Sequence, residues 1–227
     1  MTMTSATRID RRLCRGLSIV ELMVGITIGL FILAGASLVL TTQLGDNRRL
    51  LLEAQVQQDL RATADLISRE IRAAGYWANA HKQVWKATTT NPYSAGALVS
   101  TSENTSLVYY RSLEGFGNDN NNIDNNEYGG FRLNASTGIG IIEVQLGSGN
   151  WQQLTDPAVL TVTQFNLVPN TVALTVPASV PGGTALKLCS RDVTLTLVVQ
   201  AVHDPAVRRS ISNRIRLRND VVKASCT

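Results

Sequence analysis

The chain has 227 residues, 44% of them hydrophobic and 5% aromatic, which is enough apolar material for one or two compact domains and too much for an intrinsically disordered tail. Its formal net charge is +4, and the first 16 residues carry +3 of it, since Arg8, Arg11, Arg12 and Arg15 are opposed there by Asp10 alone. The remainder is near neutral, so the basic isoelectric point is no mark of nucleic-acid binding, and three cysteines and two histidines leave little material for a metal cluster or a histidine-based active site.

Residues 17–40 form an apolar run of 24 residues whose only ionisable side chain is Glu21, which excludes a purely cytosolic globular protein. As a helix the run spans roughly 36 Å at about 1.5 Å per residue, enough to cross a hydrocarbon core of about 30 Å with some tilt. Arginines precede it, whereas Arg48 and Arg49 beyond it are offset by Asp46 and Glu53. That asymmetry puts the N-terminus in the cytoplasm and everything past about residue 45 outside. The alternative is a secretory signal peptide cut after Ala36, because Ala34-Gly35-Ala36 resembles an A-x-A site. Against it, a cleaved apolar core usually has about 7–15 residues and no carboxylate near its start. An ionisable group in a span marks function and calls for a partner, unless Glu21 merely snorkels to the interface.

From residue 46 to residue 75 there is no proline and no internal glycine, and Val56, Leu60, Ile67 and Ile71 recur at spacings of four, seven and four. The span therefore continues as an amphipathic helix, with Arg61, Asp65, Arg69 and Arg72 on the other side and Gly75 placed to end it at C′. A helix over residues 17–74 is roughly 87 Å long, half apolar all round and half amphipathic. Gly25, Gly29 and Gly35 in the apolar half suit close helix packing or local melting, and equally suit ordinary tolerated membrane glycines.

After Gly75 the composition shifts to Thr, Val, Asn and Gly, with short alternating runs between turn residues. Strands are expected at 106–111, 139–146, 159–167, 171–176 and 193–202, the last pairing with 207–217 across the turn-like His203-Asp204-Pro205-Ala206. A long helix followed by an antiparallel β-rich head is an α+β protein. Within the head, the segment 117–127 is dense in oxygen ligands, and Asp119, Asn121, Asp124 and Glu127 are a secondary candidate for Ca²⁺. Ile123 stands where a third alternating ligand would be and the turn glycine is missing, so a polar loop without an ion is the preferred reading.

Near the C-terminus Arg208, Ser210, Ser212, Arg214, Arg216 and Arg218 share one parity, and Val207, Ile211, Ile215 and Leu217 the other. The strand is thus apolar inside and basic outside. Such a face could track DNA phosphates, but no aromatic residue interleaves to stack bases; a solvated edge or a subunit contact is preferred and nucleic acid is not an expected partner. The sequence has no G-x-S-x-G, Walker A, H-E-x-x-H or paired C-x-x-C motif, and neither His81 nor His203 has an evident partner. No enzyme activity, cofactor or small-molecule substrate is expected.

Arg15-Gly16-Leu17-Ser18-Ile19-Val20-Glu21-Leu22-Met23-Val24-Gly25 sets a basic leader ending in Gly before an apolar stretch whose fifth residue is Glu. It resembles the class III signal of type IV pilins and pseudopilins. The resemblance implies that a prepilin peptidase cuts between Gly16 and Leu17 and methylates the new N-terminal amine of Leu17, a position where the family usually has Phe. Cleavage also creates an ammonium that Glu21 can pair with. At about 4 Å and an effective dielectric of about 20 the pair attracts by roughly 4 kcal/mol before desolvation is subtracted, within one helix or between an incoming subunit and its neighbour.

Ile67-Ser68-Arg69-Glu70-Ile71-Arg72-Ala73-Ala74-Gly75-Tyr76-Trp77 is similar to the helix ending of the PilW-type minor pilins, relatives of the J-type minor pseudopilins of type II secretion. The implied organisation is a cleaved leader (1–16), a long helix (17–75, with 17–40 transmembrane) and an extracytoplasmic head (76–227). The implied function is a minor pilin that primes or caps type IV pilus assembly, first in the inner membrane with its head in the periplasm and then in the pilus. Its partners would be the prepilin peptidase, other minor pilins and the major pilin. A J-type pseudopilin is the nearest alternative, and a secreted β-domain adhesin or binding module the alternative of another class. Cys14 would leave with the leader, so Cys189 and Cys226 remain in an oxidising compartment and are expected to form a disulfide.

Overall fold

The computed structural model describes residues 18–83, 91–94, 99–100, 105–176, 186–223 and 225–226. One long helix, α1 (Ile19–Ala73), is followed by antiparallel strands. The chain divides into two compact units, residues 1–50 and 51–227, and α1 contributes to both.

In the first unit α1 is long and apolar enough to cross a membrane, and none of its most apolar stretch is buried. The exposed side chains lie all round the helix, from Ile19 and Val20 through Phe31, Ile32 and Leu33 to Leu38, Val39 and Leu40. Hydroxyls that would cost free energy in hydrocarbon are satisfied by the helix itself. Thr27 donates to Val24 O, Ser37 to Leu33 O, and Thr41 and Thr42 to Leu38 O, at 2.6–2.9 Å. A Cβ added at Gly25, Gly29 or Gly35 would meet nothing within 4 Å, so no packing among the described residues explains those glycines.

In the second unit the stripe expected from the spacing is the centre of the core. Val56, Leu60, Ile67 and Ile71 are buried, joined by Ala64 and Ala74, while Arg61, Asp65, Arg69 and Arg72 are exposed. Each fully buried Leu or Ile contributes about 1.5–3 kcal/mol through the apolar area removed from water. The stripe packs against residues from two sheets. The first is a five-stranded meander in the order β1 (Val99–Ser100), β2 (Ser106–Tyr110), β3 (Tyr128–Asn134), β4 (Ile141–Leu146) and β5 (Trp151–Gln153). It supplies Leu107, Tyr109, Phe131 and Ile142 to the core.

The second sheet runs β6 (Leu160–Val176), β7 (Leu186–Ala201), β8 (Arg208–Arg216), with β9 (Val221–Lys223) also paired to β7. The residues expected as two strands, 159–167 and 171–176, are here one strand. Pro169 and Asn170 look like turn residues, yet β6 is a sheet edge, where a missing backbone N–H is tolerated, and they pair in register with Val193 and Asp192. A bulge between Val162 and Gln164 inserts Thr163. It changes the parity of the inward side chains, so that Leu160 and Val162 before it and Phe165 and Leu167 after it all reach the same core. The sheets meet at Gly140, whose N–H donates to Thr161 Oγ1 and whose carbonyl accepts from Val162 N. A Cβ there would lie 1.9 Å from Val162 O, so only glycine permits the approach.

Candidate functional site

The helix-end motif is the hub of the head. Gly75 has φ 74°, the left-handed geometry that ends a helix, and its N–H donates to Tyr110 O at 2.8 Å. Further hydrogen bonds around it tie the helix end to the head. Ser112 N donates to Tyr76 O, Arg218 N to Arg72 O, and the side chains of Asn91 and Asn219 donate to Gly75 O and Ala74 O. Glu70 takes an ion pair from Arg111 at 2.7 Å and a hydrogen bond from the Tyr109 hydroxyl at 3.3 Å. Burial first, and then the charge of Glu70, push the Tyr109 pKa above the tyrosine range.

Glu21 lies in the first turn of α1, exposed, and forms no ion pair among the described residues. Gly16 and Leu17, the expected cleavage and methylation positions, lie outside the described residues, as does Cys14.

Cys189 on β7 is joined to Cys226 by a disulfide. Cys189 faces Val221 of β9 in the ladder, so the bond fastens the C-terminal segment to the strand on which it already pairs. Nearby, buried Arg191 donates to Ser94 O and Asn219 O; burial lowers its pKa and Asp220 opposes the effect. For the 37-residue separation the chain-entropy model gives about 4 kcal/mol of stabilisation. Cys226→Ser in the full-length chain should therefore lower the midpoint of thermal unfolding by roughly 8–15 °C, and a reductant should do the same to the natural chain. Unchanged midpoints in both would show that the crosslink carries none of the head's stability.

The Asn-rich segment is an organised loop. Glu127 is turned inward, where Oε1 accepts from Leu113 N and Oε2 from Asp124 N and the Tyr93 hydroxyl, at 2.9–3.0 Å. Asn121 has φ 61°, and its Oδ1 accepts from Trp77 Nε1 and Asn79 Nδ2. Asp124 Oδ2 accepts from Asn120 Nδ2. All four candidate Ca²⁺ ligands therefore spend at least one oxygen on the loop's own hydrogen bonds, Asp119 through Oδ1, which accepts from Asn121 N. Among the described residues no group of three or more His, Cys, Asp or Glu side chains converges as a metal site. Trp77, Asn79 and Tyr93 are the participants that sequence reasoning missed. Their signals were slight: the Asn91-Pro92 turn ahead of Tyr93, and the continuation of the helix-end motif through Trp77 to Asn79.

On β8 the alternation is as expected, with Arg208, Ser210, Ser212, Arg214 and Arg216 exposed and Ile215 buried. Arg214 grips Asp192 with two hydrogen bonds of 2.7 and 2.9 Å, Arg216 pairs with Asp220, and Arg209, of the other parity, reaches Glu53 on α1. The hydrogen bond from Arg214 holds the Asp192 carboxyl below the usual range. Two arginines of the basic row are thus engaged with acids of this chain, which reduces its reach toward phosphates. His203 lies exposed in the β7–β8 turn, and His81 stacks on Phe116 with ring centroids 4.2 Å apart.

A helix with an apolar, exposed first half and a second half embedded in an antiparallel β head defines a type IV pilin-like protein. The chain belongs to the family described as prepilin peptidase-dependent protein B, whose profile matches residues 49–217, well over half of its length. No curated protein and no solved structure matches it.

Proposed function

We propose that this chain is a minor pilin of the PilW type that primes or caps type IV pilus assembly. In this reading residues 1–16 are a leader removed by the prepilin peptidase, 17–75 the long helix with its span at 17–40, and 76–227 the extracytoplasmic head. Leu17 becomes the N-methylated first residue. The chain waits in the inner membrane, N-terminus in the cytoplasm and head in the periplasm, and then enters the pilus beside other minor pilins and the major pilin. Its work is assembly, carried by Leu17, Glu21 and the apolar half of α1, not catalysis.

The observation that carries the reading is the two-part helix. One half is exposed apolar surface interrupted by a single carboxylate, and the other is the core of a head that the prepilin peptidase-dependent family profile covers. A J-type minor pseudopilin would use the same mechanics in a secretion machine. Deleting the gene separates the two: surface pili and the motility that depends on them should be lost while protein secretion continues. Normal piliation with lost secretion would overturn the pilus reading in favour of the pseudopilin.

A further inference from the structure

The Asn-rich loop holds buried negative charge that its own hydrogen bonds do not account for. Asp119 is 6% exposed and Glu127 2% exposed. Glu127 is satisfied by the three donors described above. Asp119 is not: Oδ1 accepts from Asn121 N at 2.6 Å, whereas Oδ2, shielded from solvent, accepts no hydrogen bond from any described residue.

Asn79, 4% exposed, stands against the same turn. Its Nδ2 donates to Asp119 O at 2.6 Å and to Asn121 Oδ1 at 3.1 Å, which leaves its Oδ1 as a second shielded acceptor with no donor. The Tyr93 hydroxyl lies 2.9 Å from both Asn122 O and Glu127 Oε2. Burial first, then the hydrogen bond to Glu127 and the charges of Glu127 and Asp119, drive its pKa upward, so both carboxylates act on one small volume. Among the described residues no Lys, Arg or His forms an ion pair with Asp119 or Glu127. The Lys82 ammonium donates to Gly117 O.

Asp119 keeps one backbone donor and no basic partner, and two shielded acceptors, its Oδ2 and Asn79 Oδ1, remain without a donor at the same turn, an arrangement that a bound cation would satisfy. We propose that the turn of residues 119–122 and Asn79 form a site for a hard divalent cation of the calcium type, with Asp119 Oδ2 and Asn79 Oδ1 as its side-chain ligands. Calcium accepts amide and carbonyl oxygens together with carboxylates in irregular shells, so three converging acids are not required; magnesium demands near-octahedral geometry and fits such a turn poorly. The donor set differs from the alternation seen in the sequence, because Asn121 and Asp124 already accept hydrogen bonds within the loop. Bound there, the ion fastens the loop to the helix-end motif through Asn79.

The test uses the full-length chain in detergent micelles, with Tb³⁺ as the luminescent probe and Ca²⁺ as competitor. Trp77, whose Nε1 is 3.0 Å from Asn121 Oδ1, is placed to sensitise the emission. Excitation of tryptophan should give saturable Tb³⁺ emission that Ca²⁺ displaces and equal Mg²⁺ does not. Ca²⁺ at about 100 times its dissociation constant should raise the unfolding midpoint by roughly 5–10 °C, reversed by a chelator. Asp119→Asn should abolish both effects, and Asp124→Asn, outside the donor set, should keep them. No sensitised emission and no shift at about 10 mM Ca²⁺, tenfold above the weakest extracellular affinities of about 1 mM, would overturn the proposal. Equal emission from Asp119→Asn would overturn it as well. Should Asp119→Asn fail to fold, the titration of the natural chain decides alone.

Discussion

A chain carrying Gly16→Glu should remain the full 227 residues in the membrane, whereas the natural chain should be recovered as 211 residues beginning at Leu17, the 227 less the leader's 16. The substitution replaces the residue without a side chain at the proposed cleavage position by a bulky carboxylate. The apolar run that inserts the chain is untouched, so insertion should survive and processing should stop. Intact mass of the membrane-extracted protein reads the result directly, and an added methyl on the natural chain would report modification of Leu17. The rival cut after Ala36 gives a chain starting at Ser37 without the span or Glu21. Recovery of that species would remove the pilin reading and leave a released β domain.

Helix geometry made the first part of the fold readable. Val56, Leu60, Ile67 and Ile71 keep a 3.6-residue period, and no proline or glycine interrupts it before Gly75, so stripe and terminus could be placed from spacing alone. The β head was less legible because its departures from alternation serve packing. Tyr128-Gly129-Gly130-Phe131 lacks the look of a strand, and β3 was not expected there. The glycines are required by close approach: a Cβ at Gly129 would sit 2.5 Å from the Tyr109 ring, and one at Gly130 2.8 Å from Leu107 O. Likewise the bulge at Thr163 hides the continuity of β6, since inward residues change parity across it.

The candidate site divides along the same line. The pairing of Cys189 with Cys226 was legible through the leader cleavage that the family resemblance implies, which removes Cys14 and leaves an even pair in an oxidising compartment. The acidic loop could be located but not resolved. Which oxygens remain after internal hydrogen bonding depends on Trp77, Asn79 and Tyr93, 24 or more residues away from Gly117 in sequence. Local patterning pointed to Asp119, Asn121, Asp124 and Glu127 alike, and it could not show that each lends at least one oxygen to the fold itself.

Glu21→Gln should uncouple assembly from processing. Gln keeps the size and hydrogen-bonding ends of the side chain and removes its charge, and the span becomes no less apolar than before. Insertion and cleavage at Gly16 should therefore continue, and the mature chain should accumulate in the membrane at its normal level. What is lost is the attraction between the carboxylate and the N-terminal ammonium of Leu17, on its own helix or on a neighbour. That attraction is roughly 4 kcal/mol at about 4 Å in an effective dielectric of about 20, before desolvation, and an ammonium left without its carboxylate at the bilayer costs further free energy. Surface pili, counted by electron microscopy or shear assay, should fall sharply, and pilus-dependent motility with them. Glu21→Asp retains the charge on a side chain one methylene shorter and should restore part of the piliation, which separates the pair from the shape of the residue. Normal piliation in the Glu21→Gln strain, at normal protein level, would instead mean that Glu21 only reaches the membrane surface and docks nothing.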